Sequence, residues 1–174
     1  LLEMNDFLQT GEDGGMILMY VDDTKFTMGP NTELIIDEFA FDTSVVPIEL
    51  AMNISVNVGS FTYESGSVAE LGGEVTISTA TATVTMQGTS ISGTVSANGQ
   101  TTIVLLPDSD GGLGSVTVSN ETGSQTLTNA YTSVTVFAEN VFIKAPSPLG
   151  NSEKKNLFDL DSVEEDIDEK EKHD

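Results

Sequence analysis

The chain has 174 residues, with 28 acids against 6 lysines, no arginine, no cysteine and a net charge of −22. Disulfides, zinc–thiolate sites and cysteine nucleophiles are therefore excluded. Phosphate contacts dominate nucleic-acid affinity, so a chain this poor in cations is unsuited to nucleic acid, and the same field opposes anionic lipid.

From the N-terminus, Leu1 to Leu8 is a short apolar-rich stretch that opens without an initiator Met and reads as a fragment or processed piece. Gly11-Glu12-Asp13-Gly14-Gly15 is a turn. Met16 to Val21 and Lys25 to Met28 are strands joined by Asp22-Asp23-Thr24 as a hairpin. Gly29-Pro30-Asn31 breaks the chain again. Glu33 to Phe41 could make a helical turn, but its isoleucines and flanking turn residues favour a strand. Ile48, Leu50, Met52, Ile54, Val56 and Val58 are alternate residues of one strand, Val45 to Val58, with Gly59 as its break.

Val75 to Phe137 is largely Ser/Thr alternating with Val, Ile, Leu and Ala, the period of strands with one buried and one wet face. Threonine suits that wet face because it is β-branched and still soluble. The apolar phase is odd at Val75 and Ile77 and even from Ala80 to Met86, so the chain bulges or turns near Ser78-Thr79. Asn98-Gly99 predicts a type I′ turn between Gly93–Ala97 and Gln100–Leu106. Asp108 to Gly112 is a loop. Asn120 to Gly123 turns the next strand into Ser124–Thr128. Thr132 to Phe137 is a strand, and Val141 to Lys144 suits another.

About ten short strands at roughly 8–12-residue spacing, without a long helix, define an all-β protein: an irregular β-solenoid or β-helix, a sandwich or a barrel. The domain spans 1–144. Residues 145–151 are a Pro/Gly/Ser linker, and 152–174 are an acidic tail, read as disordered or as a short helix on Leu160, Val163 and Ile167. No apolar run approaches the ~18 residues of a membrane helix.

The side chains that could carry chemistry are few. His173, the one histidine, stands in the tail, without the fixed partner that a triad base needs. Asp22/Asp23 and Asp37/Glu38 are paired carboxylates, but sequence neighbours on a strand point to opposite faces. Asp108-x-Asp110-Gly111 reads as a turn or as a weak calcium site; it lacks the third ligand and the distal Glu of an EF-hand loop. The glycine pairs lack the P-loop lysine. Asn53-Ile54-Ser55 and Asn120-Glu121-Thr122 match the glycosylation pattern, which matters only in a eukaryotic secretory setting. No catalytic, cofactor-binding or metal-ligating residue is assigned.

Several motifs resemble the FecR domain family. Thr10-Gly11-Glu12-Asp13-Gly14-Gly15, then Asp22-Asp23-Thr24-Lys25-Phe26-Thr27-Met28-Gly29-Pro30-Asn31-Thr32-Glu33-Leu34, is similar to that domain's opening, and Asp37-Glu38-Phe39 follows it there. Gly59-Ser60-Phe61-Thr62-Tyr63-Glu64-Ser65-Gly66 resembles its "G-x-F-x-F-x-S-G". Thr81 to Thr89 resembles its "T-P-x-A-x-ϕ-x-I-R-G-T", with Gln87 in place of the arginine. Leu105-Leu106-Pro107-Asp108 to Gly112 and Ser119 to Ser124 match stand-alone members, so the likeness covers about Leu8 to Phe137.

The resemblance implies an extracytoplasmic all-β module with solenoid-like winding and no catalytic residues, in the periplasm or at the surface of a bacterium. It implies signalling to a sigma factor in some members and an unassigned role in stand-alone ones. Neither a membrane helix nor an anti-sigma segment accompanies the motifs here. The expected function is a non-enzymatic module that binds an unidentified protein partner by strand edges or loops. The alternative is a structural or adhesive piece of a larger surface protein, stabilised by cations such as calcium.

The acids are spread along the chain: residues 1–150 hold 18 acids and 2 lysines. Such a surface either solubilises the protein or adapts it to salt or divalent cations. Adjacent exposed carboxylates repel by about 1 kcal/mol at 4 Å, which salt screens. The melting temperature is expected to rise from low NaCl to seawater levels, and a flat profile would contradict the salt adaptation.

Overall fold

The computed structural model describes residues 2–42, 44 and 49–154, and it is all-β with one short helix and, at 151–154, a helical turn. Its first strands are β1 (Phe7–Gln9), β2 (Met16–Met19), β3 (Lys25–Met28), β4 (Glu33–Asp42) and β5 (Glu49–Glu64). After α1 (Ser67–Glu70) come β6 (Glu74–Ser78), β7 (Thr83–Gln87), β8 (Ser90–Val95) and β9 (Thr101–Leu106). The last are β10 (Ser115–Asn120), β11 (Gly123–Leu127), β12 (Thr132–Val136) and β13 (Ser147–Pro148).

Alternation in β5 sets the architecture. Met52, Ile54 and Val56 are buried, and Ala51, Asn53 and Ser55 between them are half-buried on the other face. Burying each such side chain contributes about 1.5–3 kcal/mol. A slip of one residue would turn the whole set outward, so the register is fixed. β5 is shared by two sheets. Its first half pairs with β4 and β6, giving the order β1-β4-β5-β6-β7-β10-β11. Its second half pairs with β3 and β8, giving β2-β3-β5-β8-β9-β12-β13.

The two sheets meet at a corner that bends three neighbouring chain segments together. β5 turns at Gly59, where φ is +113°. Beside it, Gly29 to Thr32 carries β3 into β4, and outermost, Thr10 to Gly15 carries β1 into β2. Two buried threonine hydroxyls reinforce the backbone bonds there. Thr32 Oγ1 donates to Ser60 O and accepts from Ser60 N–H, both at 3.0 Å. Thr10 Oγ1 donates to Gly29 O at 2.6 Å and accepts from Thr32 N–H at 2.9 Å. A Cβ on Gly59 would sit 2.2 Å from Thr32 Oγ1 and 2.4 Å from its Cα.

One hydrophobic core lies between the sheets, with Phe26 and Phe61 stacked at 5.2 Å. β9 and β12 of one sheet pack against β10 and β11 of the other. Of the architectures expected, this pairing is the sandwich-like one. Every pair is antiparallel except β5 with β6, whereas a solenoid stacks parallel coils. The parallel pair is possible because α1 crosses from the end of β5 in one sheet to β6 in the other.

Several boundaries differ from the sequence reading. Gly59 does not break its strand but kinks it, and β5 runs on to Glu64. The β8–β9 turn is not type I′: Gly99 has positive φ and Asn98 does not, and Gly99 N–H donates to Ser96 O. This is a type I turn closed by a glycine bulge. Val141 to Lys144 forms no strand, yet Ile143 is buried. Ser147–Pro148, in the expected linker, pairs with β12, and Leu149 is buried. Val45 to Ile48 and the tail beyond Lys154, including Leu160, Val163, Ile167 and His173, lie outside the described residues.

Gly59→Ala is expected to destabilise the protein by about 3 kcal/mol or more, from positive-φ strain and overlap with Thr32. Thr32→Val should cost about 1–3 kcal/mol, because Ser60 N–H loses its partner. Urea unfolding checks both, and an alanine variant within about 0.5 kcal/mol of wild type would contradict the corner's role.

Candidate functional site

Three of the four paired carboxylates singled out in the sequence accept hydrogen bonds from neutral partners. Asp22 is buried and accepts the Thr24 hydroxyl at 2.7 Å and the Thr24 N–H at 3.1 Å. Thr24 Oγ1 in turn accepts Gly66 N–H at 3.1 Å, and Ser67 N–H donates to Asp22 O at 2.8 Å. A Cβ on Gly66 would lie 2.3 Å from both Asp22 O and Thr24 N. The Asp22-Asp23-Thr24 and Ser65-Gly66 motifs are thus two halves of one clamp. Asp23 is exposed with φ +68°. A bulge between Ile36 and Glu38 overturns the alternation expected of these sequence neighbours: Asp37 accepts from Ser55 Oγ at 2.7 Å and Glu38 from Asn53 Nδ2 at 2.6 Å, two residues on the same face of β5.

In the Asp108–Gly112 loop, Asp108 accepts the Ser90 hydroxyl at 2.8 Å and Asp110 accepts Gly112 N–H at 2.8 Å. Among the described residues no three acidic or histidine side chains gather as a metal site. The amides of both glycosylation-type asparagines are engaged, Asn53 with Glu38 and Asn120 with Ala138 O and Val141 O.

Partner binding at strand edges or loops is expected from the sequence, and the structure has a continuous free edge. Among the described residues, β1 pairs only with β4 and β2 only with β3. Ile36 N–H donates to Asp6 O and Thr10 N–H to Thr32 O, so the backbone groups of Phe7 and Gln9 point away from β4. Tyr20 N–H donates to Thr24 O, and by the same alternation Ile17 and Met19 face away from β3. Leu2, Met4, Phe7, Met19 and Val21 are exposed here, the last at 80%. The other flank of the first sheet differs: Asn120, Thr122 and Gln125 side chains pin residues 138–143 beside the β10–β11 hairpin. No local sequence signal marks the free edge, because pairing partners are set by topology.

Behind that edge lies a buried polar cluster. Tyr20 packs on Phe39 with ring centres 4.8 Å apart, and burial, then the Asp22 charge, push its phenol up to about 12. Burial raises Tyr63 further, with smaller contributions from Asp22, Asp108 and Tyr20. Thr24 lies near enough to oppose this rise in part. No hydrogen bond joins the two hydroxyls. Neither tyrosine hydroxyl has a hydrogen-bond partner. Tyr63→Phe should therefore leave stability level or raise it by up to about 1–2 kcal/mol. A phenol whose pKa is higher folded than unfolded stabilises below its unfolded pKa and loses that contribution as pH rises through the folded one. Stability should fall as pH climbs from 10 through about 12, and less so in Tyr63→Phe; denaturant unfolding across that range checks both.

No family model matches this chain, and no curated protein matches it. Two crystal structures from Parabacteroides distasonis ATCC 8503, each provisionally described as an anti-sigma factor, share its fold. The structure at 1.65 Å has a TM-score of 0.62 and 12% identity, over 82% of this chain and 59% of that one. The structure at 2.50 Å has a TM-score of 0.64 and 12% identity, over 83% and 60%. The chain thus spans about three fifths of the length of those it matches. At this identity the likeness is one of fold, and the all-β architecture is the part it establishes.

Proposed function

We propose that this chain is a non-enzymatic, FecR-like protein-interaction module of a bacterial extracytoplasmic signalling system. It takes an extended segment of a partner protein onto the free edge of β1 and β2. The observation that carries this reading is that edge: outward backbone groups on two strands, joined through one corner and flanked by exposed apolar side chains. Added strands gain affinity from main-chain hydrogen bonds and specificity from alternate side chains. The resemblance to FecR domains and the fold shared with the two anti-sigma factor structures support a regulatory setting. They also support a periplasmic or cell-surface location.

A second reading, a structural or adhesive piece of a larger surface protein, draws on the outer face of the first sheet. Thr76, Thr85, Thr117 and Thr126 stand there in register across β6, β7, β10 and β11. Such a rank offers hydrogen bonds to an extended surface.

A photo-crosslinker at Met19, in periplasmic extract, is expected to capture a protein that one at Thr117 does not. Ile17→Pro removes an outward N–H without touching the β2–β3 ladder and should abolish that capture. Capture from Thr117 alone would favour the second reading and overturn the first.

A further inference from the structure

Away from the free edge, at the end of the first sheet, the β6–β7 and β10–β11 turns and Glu139 line an open cavity of about 270 Å³. Its floor is the Thr79–Thr83 turn, held to the β8–β9 turn by Thr81 Oγ1 donating to Gly99 O at 2.7 Å and by Thr79 and Thr101 hydroxyls 2.8 Å apart. Glu121 and Glu139 stand on its wall. Their positions are fixed by backbone and amide bonds. Glu121 N–H donates to Glu139 O at 3.1 Å, and Asn120 Nδ2 donates to Ala138 O at 3.1 Å and to Val141 O at 2.7 Å. Among the described residues no lysine is found in an ion pair with either cavity glutamate.

The segment that brings Glu139 to the cavity also carries three exposed apolar side chains. Phe137 precedes Glu139 by two residues, and Val141 and Phe142 follow it, exposed by 53%, 44% and 71%. Two carboxylates lining a cavity, one of them on a segment with exposed phenylalanines, call for a ligand that is cationic and apolar together. Lysine and arginine side chains meet both needs: the stem covers apolar surface, and the cation pairs with carboxylate or lies over an aromatic ring. An anionic lipid surface meets the apolar need but is repelled by the carboxylates.

We propose that this cavity and the exposed apolar segment Phe137 to Phe142 that carries Glu139 are a docking site for a lysine- or arginine-bearing segment of a partner protein. The site is separate from the β1–β2 edge and does not depend on the function proposed for it.

The test must separate a site from general attraction to a chain of net charge −22. The probe is the peptide acetyl-Leu-Arg-Leu-Lys-amide, titrated into the full chain at about 0.15 M salt, where charges screen over about 8 Å. Saturable binding is expected. Glu121→Gln with Glu139→Gln, and separately Phe142→Ser, should each weaken it on the order of tenfold. Glu12→Gln with Asp13→Asn removes the same charge elsewhere and should change affinity less than about twofold. Unfolding midpoints of the variants confirm that each is folded. Equal loss in the control pair would overturn the site as general electrostatics. Absence of saturable binding, or indifference to all three variants, would overturn it too. So would equal affinity for spermine, binding to neutral vesicles that Phe142→Ser abolishes, or a dimer that the same variant dissociates.

Discussion

At the corner, the Thr32 hydroxyl both donates to and accepts from the Ser60 backbone, in a space that a side chain on Gly59 would fill. Everything else follows from that fit. With the corner in place, β5 can belong to two sheets at once, and its flanking chain segments bend with it. Without it the sheet would run on as an open, twisted surface with one apolar side in water. Thr10 repeats the device one segment outward, so the bend is stitched twice by side chains that reinforce its backbone bonds. A hydroxyl suits this place because it donates and accepts from one atom.

The clamp between Asp22-Asp23-Thr24 and Gly66 is the second constraint, and it works on the first. It ties the β2–β3 turn to the chain leaving β5, and so holds the outermost hairpin against the sheet it edges. The buried carboxylate is used for shape, as an acceptor for Thr24, and the two tyrosine hydroxyls nearby are left without partners. Such a cluster costs stability where it stands, and the hydrophobic core around Phe26 and Phe61 offsets it.

Side-chain period by itself makes the strands legible in the sequence. The phase change between Ile77 and Ala82 marks the β6–β7 turn, and Lys25 to Met28 has the bounds that alternation assigns it. Gly59 misleads because a glycine with positive φ serves a turn and a kink equally, and only Thr32, distant in sequence, tells them apart. Asn98 misleads for a related reason: a type I turn needs a positive φ at Gly99 alone. The motifs of Thr10, Thr32, Gly59 and Gly66 can be recognised, but their roles as stitches and clamps exist only once the chain has folded back. A strand edge is expected, but that it belongs to β1 and β2 is not legible, since strand neighbours are a property of topology.

A consequence for folding kinetics lies in the position of β5. It touches four strands, β3, β4, β6 and β8, and the parallel partner is reached only after a crossover. Its fullest pairing is with β4, the strand before it, but those with β3, β6 and β8 join distant segments, so much chain entropy is lost before they repay it. Topologies of this sort fold over milliseconds to seconds. The nascent chain would then spend that interval with its hydroxyl-rich strands only loosely collapsed.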